Sequence, residues 1–126
     1  GVLRFSGQVM TVLPGQSSCY RCVFRQPPPE EAVTSCSQAG ILGAIAGILG
    51  TIQATETLKF ITDTGQLLTD TLMTFDALTM DFRKIPLSRQ EDCPVCGREP
   101  SITSPVDYKP AVCDPRSGTI EPSNAR

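Results

Sequence analysis

Hydrophobic and polar positions change their period twice along the chain, and three kinds of element follow. Val2-Leu3-Arg4-Phe5 and Gln8-Val9-Met10-Thr11-Val12-Leu13 are short β-prone runs separated by Ser6-Gly7, a pair suited to a turn, so the start reads as a hairpin. From Thr34 to Thr64 the period becomes helical. Ile41, Ile45, Ile48 and Ile52 recur at steps of four and three and mark one stripe. Ser35 with Gln38 has the capping-box spacing, and Gly65 stands where a left-handed C-cap belongs. Leu42, Ala44, Ala46 and Leu49 make the first half apolar all round, which predicts burial on most faces. In the second half Thr55, Glu56 and Lys59 are expected at water, with Leu58, Phe60 and Ile61 inside. Between Leu67 and Leu87 the pattern turns to strands: Leu72-Met73-Thr74-Phe75 and Phe82-Arg83-Lys84-Ile85 flank a turn that opens at Asp76, giving a second hairpin.

The glycines and prolines refine this outline. Gly40, Gly43, Gly47 and Gly50 each cost about 1 kcal/mol inside a helix relative to Ala. Four together point to the close approach of another backbone, either a sheet or a second copy of the chain. A membrane-type reading of those glycines fails, because the apolar run stops at Thr51. Pro27-Pro28-Pro29 predicts a short polyproline strut. After Gly97 the chain is polar, punctuated by proline and without period, and reads as a linker.

Composition narrows the function classes. A chain of 126 residues allows one domain with a modest core. Eleven basic against thirteen acidic residues, with no run of either sign, supply no field for nucleic acid. No leader and no long apolar span is legible, which points to the cytoplasm and away from a membrane. The chain opens at Gly1 in what reads as the middle of a strand, so a piece of a longer protein is expected. Histidine is absent. That removes Ser-His and Cys-His catalysis and imidazole metal ligands from what this chain does unaided.

Chemistry therefore falls to cysteines and carboxylates. Cys19-Tyr20-Arg21-Cys22 and Cys93-Pro94-Val95-Cys96 repeat one C-x-x-C spacing far apart in the sequence. Four thiolates so spaced can close a tetrahedron around zinc, and a closed four-sulfur site fastens the chain and leaves no position for substrate. Disulfides and redox thiols are the alternative readings. Cys36 follows Ser35, so a cap at Ser35 would place it in the first helical turn, where unpaired N–H groups and the helix dipole favour a thiolate. A small buried cysteine beside a helix start is the competing account. Cys113 lies in the tail and receives no role. The carboxylates Glu30, Glu31, Asp70, Asp76 and Asp81 are dispersed, with no spacing that argues for acid–base work.

Ser18-Cys19-Tyr20-Arg21-Cys22-Val23-Phe24, the triple proline, Ala32-Val33-Thr34-Ser35-Cys36 running into Gly40-Ile41-Leu42-Gly43, Ala54-Thr55-Glu56-Thr57-Leu58-Lys59, Phe75-Asp76-Ala77-Leu78 and Cys93-Pro94-Val95-Cys96-Gly97 closely resemble the ubiquitin-activating-enzyme-like adenylyltransferases. The resemblance covers roughly residues 1–99 and places them in the C-terminal half of the adenylyltransferase domain. It implies an α/β fold, part of a Rossmann domain, with short antiparallel hairpins and a long buried glycine-rich helix stapled by a four-cysteine zinc site. Residues 100–126 resemble the linker of the eukaryotic branch, which ends in a rhodanese domain. The function implied is that of an enzyme fragment. Such enzymes adenylate the C-terminus of a ubiquitin-like sulfur-carrier protein and pass sulfur to it, in tRNA thiolation and molybdenum cofactor biosynthesis. By position, Cys19, Cys22, Cys93 and Cys96 match the zinc ligands. Cys36 matches the cysteine that attacks the acyl-adenylate or relays sulfur, carried with Glu30-Glu31 on a crossover loop. A homodimer is implied, and ATP with magnesium is expected only with the N-terminal half, so this segment alone is expected not to adenylate. The alternative is a non-catalytic zinc-stapled interaction module whose glycine-rich helix pairs two subunits.

Overall fold

The computed structural model describes residues 1–27 and 40–106. Four strands form one antiparallel sheet in chain order: β1 (Val2–Leu3), β2 (Ser6–Val9), β3 (Thr71–Asp76) and β4 (Asp81–Pro86). Two helices accompany them among the described residues, α1 (Tyr20–Val23) and α2 (Gly43–Thr62). The second hairpin stands where the alternation placed it. Its strands pair from Thr71↔Pro86 to Asp76↔Asp81, and the Leu78 N–H donates to Asp76 Oδ1 at 2.9 Å, closing the turn.

The first hairpin is present but turns earlier than expected. Ser6 and Gly7 open β2, and the reversal is made at Arg4-Phe5, with Arg4 at φ 51. The reason lies in the helix above. A Cβ on Gly7 would stand 2.1 Å from Leu49 Cδ1, so the glycine serves close packing of the strand under α2 and not the turn. Gly7↔Phe75 and Val9↔Met73 are in register, and strand alternation puts these residues on one face. With Ile45, Leu49 and Leu68 they build the core. Phe75 also stacks on its cross-strand neighbour Phe82, ring centroids 4.4 Å apart.

The helix begins later than the apolar period suggests. Gly40 sits at φ +68 and Ile41 bridges Arg4 in parallel; Arg4 donates to the Gly40 carbonyl and Leu42 donates to the Arg4 carbonyl, both at 3.1 Å. This pairing keeps residues 40–42 out of the helix, and α2 starts only at Gly43 without a side-chain cap. The expected start at Ser35, its partner Gln38 and the head-of-helix position of Cys36 lie outside the described residues. At the far end Asp63 (φ 48, ψ 43) is the left-handed cap, two places before Gly65.

Ile45, Ile48 and Ile52 face the sheet as their spacing requires. Beyond them Thr55 is at water as expected, but the other faces are exchanged: Glu56 is buried and Lys59 half-buried, whereas Leu58, Phe60 and Ile61 are 62%, 60% and 69% exposed. The inward stripe simply continues at its own step from Ile52 to Glu56 and Lys59. Nor is the first half buried all round, since Leu42, Ala44 and Ala46 are exposed. Among the described residues nothing lies within 4 Å of a Cβ built on Gly43, Gly47 or Gly50, so no described residue makes the close backbone approach. No helix of the described residues is long and apolar enough to cross a membrane.

Candidate metal centre

The first arm of the site is shaped by a tight turn. Pro14-Gly15 reverses the chain, with Gly15 at φ +76, and Ser17 Oγ accepts the Leu13 N–H at 2.9 Å. Ser18 follows, fully buried, and its N–H donates to Asp70 Oδ1 at 2.7 Å. Cys19 then caps the single turn of α1, and the Cys22 N–H returns to the Cys19 carbonyl at 3.0 Å. Both sulfurs of the first pair are thereby offered from one turn of backbone. Val23 and Phe24, which the sequence places beside the metal, are half-buried, Phe24 against Tyr20.

The second arm leaves β4 through Leu87, whose N–H donates to the Asp70 carbonyl at 2.8 Å. Cys93 donates to the Gln90 carbonyl at 3.1 Å and Gly97 to the Cys93 carbonyl at 3.0 Å, which curls the second pair into a like knuckle. Gly97 is required by that curl. A Cβ there would fall 2.5 Å from the carbonyl oxygens of both Cys93 and Glu91.

The two arms bring all four sulfurs within 4.8 Å of one another. Cys22 and Cys96 stand 3.4 Å apart, Cys19 and Cys93 3.6 Å, and Cys19 and Cys22 3.9 Å. Sulfurs about 2.3 Å from a central ion in a tetrahedron are separated by about 3.8 Å, so the set fits one metal ion of thiolate preference. All four are free thiols, and Cys93 is 1% exposed. Burial acts to raise the Cys93 thiol, but the Cys96 and Val95 N–H groups outweigh it and bring the thiol down to about 6. Burial, with the thiols of Cys22, Cys19 and Cys93, pushes Cys96 up to about 12, and burial likewise raises Cys19. A lowered Cys93 thiol beside raised Cys19 and Cys96 thiols fits crowded sulfurs whose charge a bound cation would compensate.

Several residues that the sequence did not single out tie the arms together. Arg25, just after the first pair, chelates the Asp92 carboxylate just before the second, with Nη1 to Oδ2 at 2.9 Å and Nη2 on Oδ1. That hydrogen-bonded pairing holds the Asp92 carboxyl below the usual carboxylate range and raises Arg25. Arg89 donates to the Gly15 carbonyl at 2.8 Å and to the Cys96 carbonyl at 3.1 Å. The Gln90 N–H points at Cys22 Sγ, 3.5 Å away. Only adjacency to a cysteine could have flagged Asp92, and no local signal marks Arg25 or Arg89. Cys36, Cys113, Glu30, Glu31, Pro28 and Pro29 lie outside the described residues.

An antiparallel sheet under one long helix, with two C-x-x-C arms converging on four thiols close enough to hold a metal ion, defines the class: a mixed α/β protein with a closed cysteine site. The chain belongs to the ThiF family, whose model matches residues 1–95. The adenylyltransferase and sulfurtransferase MOCS3 of Bos taurus is 48% identical over 108 residues, covering 85% of this chain and 24% of that protein. Its counterpart in Mus musculus is 44% identical over 112 residues, covering 88% and 24%. The sulfur carrier protein adenylyltransferase of Thermus thermophilus is 41% identical over 117 residues, covering 89% and 43%. The chain thus spans about a quarter of the length of the animal relatives and under half of the bacterial one.

Proposed function

We propose that residues 1–99 are the C-terminal half of a Rossmann-type adenylyltransferase domain and residues 100–126 a linker, in an enzyme that activates a ubiquitin-like sulfur-carrier protein. The reading rests on family membership and on the names of relatives similar over most of this chain. The observation that carries the role of the described residues is the convergence of Cys19, Cys22, Cys93 and Cys96 within 4.8 Å. Those thiolates hold a structural zinc, a cation that accepts four sulfurs without redox chemistry and leaves no open position. The zinc fastens the loop after β2 to the loop after β4.

In this reading a nucleotide-binding half outside this chain binds ATP and magnesium. The carrier's C-terminal carboxylate attacks the α-phosphorus, and pyrophosphate leaves. The Cys36 thiolate then attacks the acyl-adenylate carbonyl, AMP departs, and a thioester remains from which sulfur transfer proceeds. The product serves tRNA thiolation and molybdenum cofactor synthesis, in the cytoplasm. The enzyme acts as a homodimer.

The test uses the full-length protein. Metal analysis should give one zinc per chain; a different metal or none overturns the zinc assignment. Cys36→Ser should keep that zinc and abolish carrier transfer, and retained transfer removes Cys36 from the mechanism. A second reading, a non-catalytic module whose glycine-rich helix pairs two subunits, is favoured by one observation, the exposed Leu58 and Ile61 on α2. Chains that assemble through this helix but never accept the carrier would establish it.

A further inference from the structure

We propose that Asp70 is the positioning residue of the four-thiol site. Asp70 lies on neither arm and bonds to both: its side chain accepts the Ser18 N–H at 2.7 Å, next to Cys19, and its backbone carbonyl accepts the Leu87 N–H at 2.8 Å, where the chain leaves β4 for Cys93. The donor it satisfies belongs to a residue with no solvent exposure, so loss of the carboxylate leaves a buried N–H without its acceptor. Ser18 would then move to find water, and Cys19 moves with it.

The backbone of Asp70 matters as well. It sits at φ +50, in the left-handed region that Gly, Asn and Asp enter readily and other residues avoid. That conformation aims the carbonyl at Leu87 while the side chain turns to Ser18. Of the other ties between the arms, Arg25 to Asp92 is an ion pair between exposed side chains, which contributes little, and the bonds of Arg89 to the Gly15 and Cys96 carbonyls are exposed as well. Asp70 therefore sets the separation of the two cysteine pairs before a metal arrives. Residues behind the ligands tune metal affinity in this manner generally.

The inference rests on the zinc reading above, and the two fail separately. If the parent full-length protein carries no zinc, the zinc reading falls. If it carries zinc, three variants test Asp70 by competition with a chromophoric chelator at neutral pH. Asp70→Ala loses the acceptor and strains the backbone; Asp70→Gly loses the acceptor alone; Asp70→Asn keeps both the acceptor and the left-handed preference. Zinc dissociation constants should rise about 10- to 100-fold in the Ala and Gly variants, with Asn close to the parent, the range typical of groups that orient ligands. Cobalt-substituted protein should show shifted thiolate-to-metal charge-transfer bands in the Gly variant only if the sulfurs have moved. Asp70→Gly binding zinc like the parent, with unchanged cobalt bands, would overturn the proposal, because the residue would then serve only the turn. Asp70→Ala need not fold for the comparison to succeed, since Gly against Asn decides it.

Discussion

The backbone N–H of Leu68 donates to Glu56 Oε2 at 2.6 Å, and that oxygen also accepts the Thr11 hydroxyl at 2.8 Å. One buried carboxylate thus joins helix α2 to the chain leaving β2 and to the loop entering β3. Lys59 pairs with its other oxygen. Burial alone would push the Glu56 carboxyl up. Lys59, the Leu68 N–H and the Thr11 hydroxyl together outweigh burial and hold it below the ordinary 4.5.

The sign of the pH dependence follows. A carboxyl depressed on folding stabilises the fold above its unfolded value, and that contribution is lost as pH falls through the folded value. Melting temperature should be flat from pH 7 to near 5 and then decline below 4.5, the ordinary value of the group. Glu56→Gln should lower stability at neutral pH by about 1.5–3 kcal/mol, the range for hydrogen bonds to a charged group. It should also flatten the acid limb. A variant as stable as the parent at pH 7 would show that the carboxylate merely fills space.

The same residue shows where the sequence misleads. A charged side chain near a helix end belongs in water by default, and Leu58, Phe60 and Ile61 belong inside; the structure exchanges the two sets because Glu56 finds three partners that no local pattern announces. The inward stripe was legible from Ile45 to Ile52, and continuing its step would have reached Glu56. The break before Gly43 was illegible for a similar reason, since pairing of residues 40–42 with distant Arg4 keeps them out of the helix. Ser6-Gly7 carried a turn signal that Leu49 converts into a packing requirement. The second hairpin and the meeting of the two cysteine pairs were legible, because strand alternation and C-x-x-C spacing are local. The bonds that Asp70 and Arg89 make to the two arms run across the fold and have no local signal.

Removal of the metal should release the two arms. If the site carries the fastening role, chelation of the full-length protein at neutral pH should lower stability by at least about 4 kcal/mol, the linkage value when free metal exceeds its dissociation constant a thousandfold. Added zinc should restore the melt. A melting temperature indifferent to chelation would mean that Arg25, Asp92 and Arg89 hold the arms unaided.

Gly97→Ala should damage the second knuckle specifically. The atoms its Cβ would meet, the Cys93 and Glu91 carbonyl oxygens at 2.5 Å and the Cys93 nitrogen at 2.8 Å, are all backbone and cannot swing aside. Zinc content should fall below one per chain and stability by about 1–3 kcal/mol, as for other overpacked sites. Full zinc occupancy with a parent-like melt would show that the knuckle opens without penalty.

Gly7 poses the opposite case, because the atom in its way is mobile. A methyl there would lie 2.1 Å from Leu49 Cδ1 and 3.1 Å from Leu49 Cγ, both in a side chain able to change rotamer. Leu49 is, however, 3% exposed and packed in the core with Phe75 and Val9, so its alternatives are few. Gly7→Ala should therefore destabilise by about 1–3 kcal/mol, and Leu49→Ala by about 2–5 kcal/mol through the cavity it leaves. The two changes touch one space, so they should not add. The double variant should be more stable than the sum of the singles predicts, with a coupling of about 0.5–3 kcal/mol read from denaturant melts. Strict additivity would place the pressure on Gly7 elsewhere, and its position inside β2 would need another cause than the helix that lies on it.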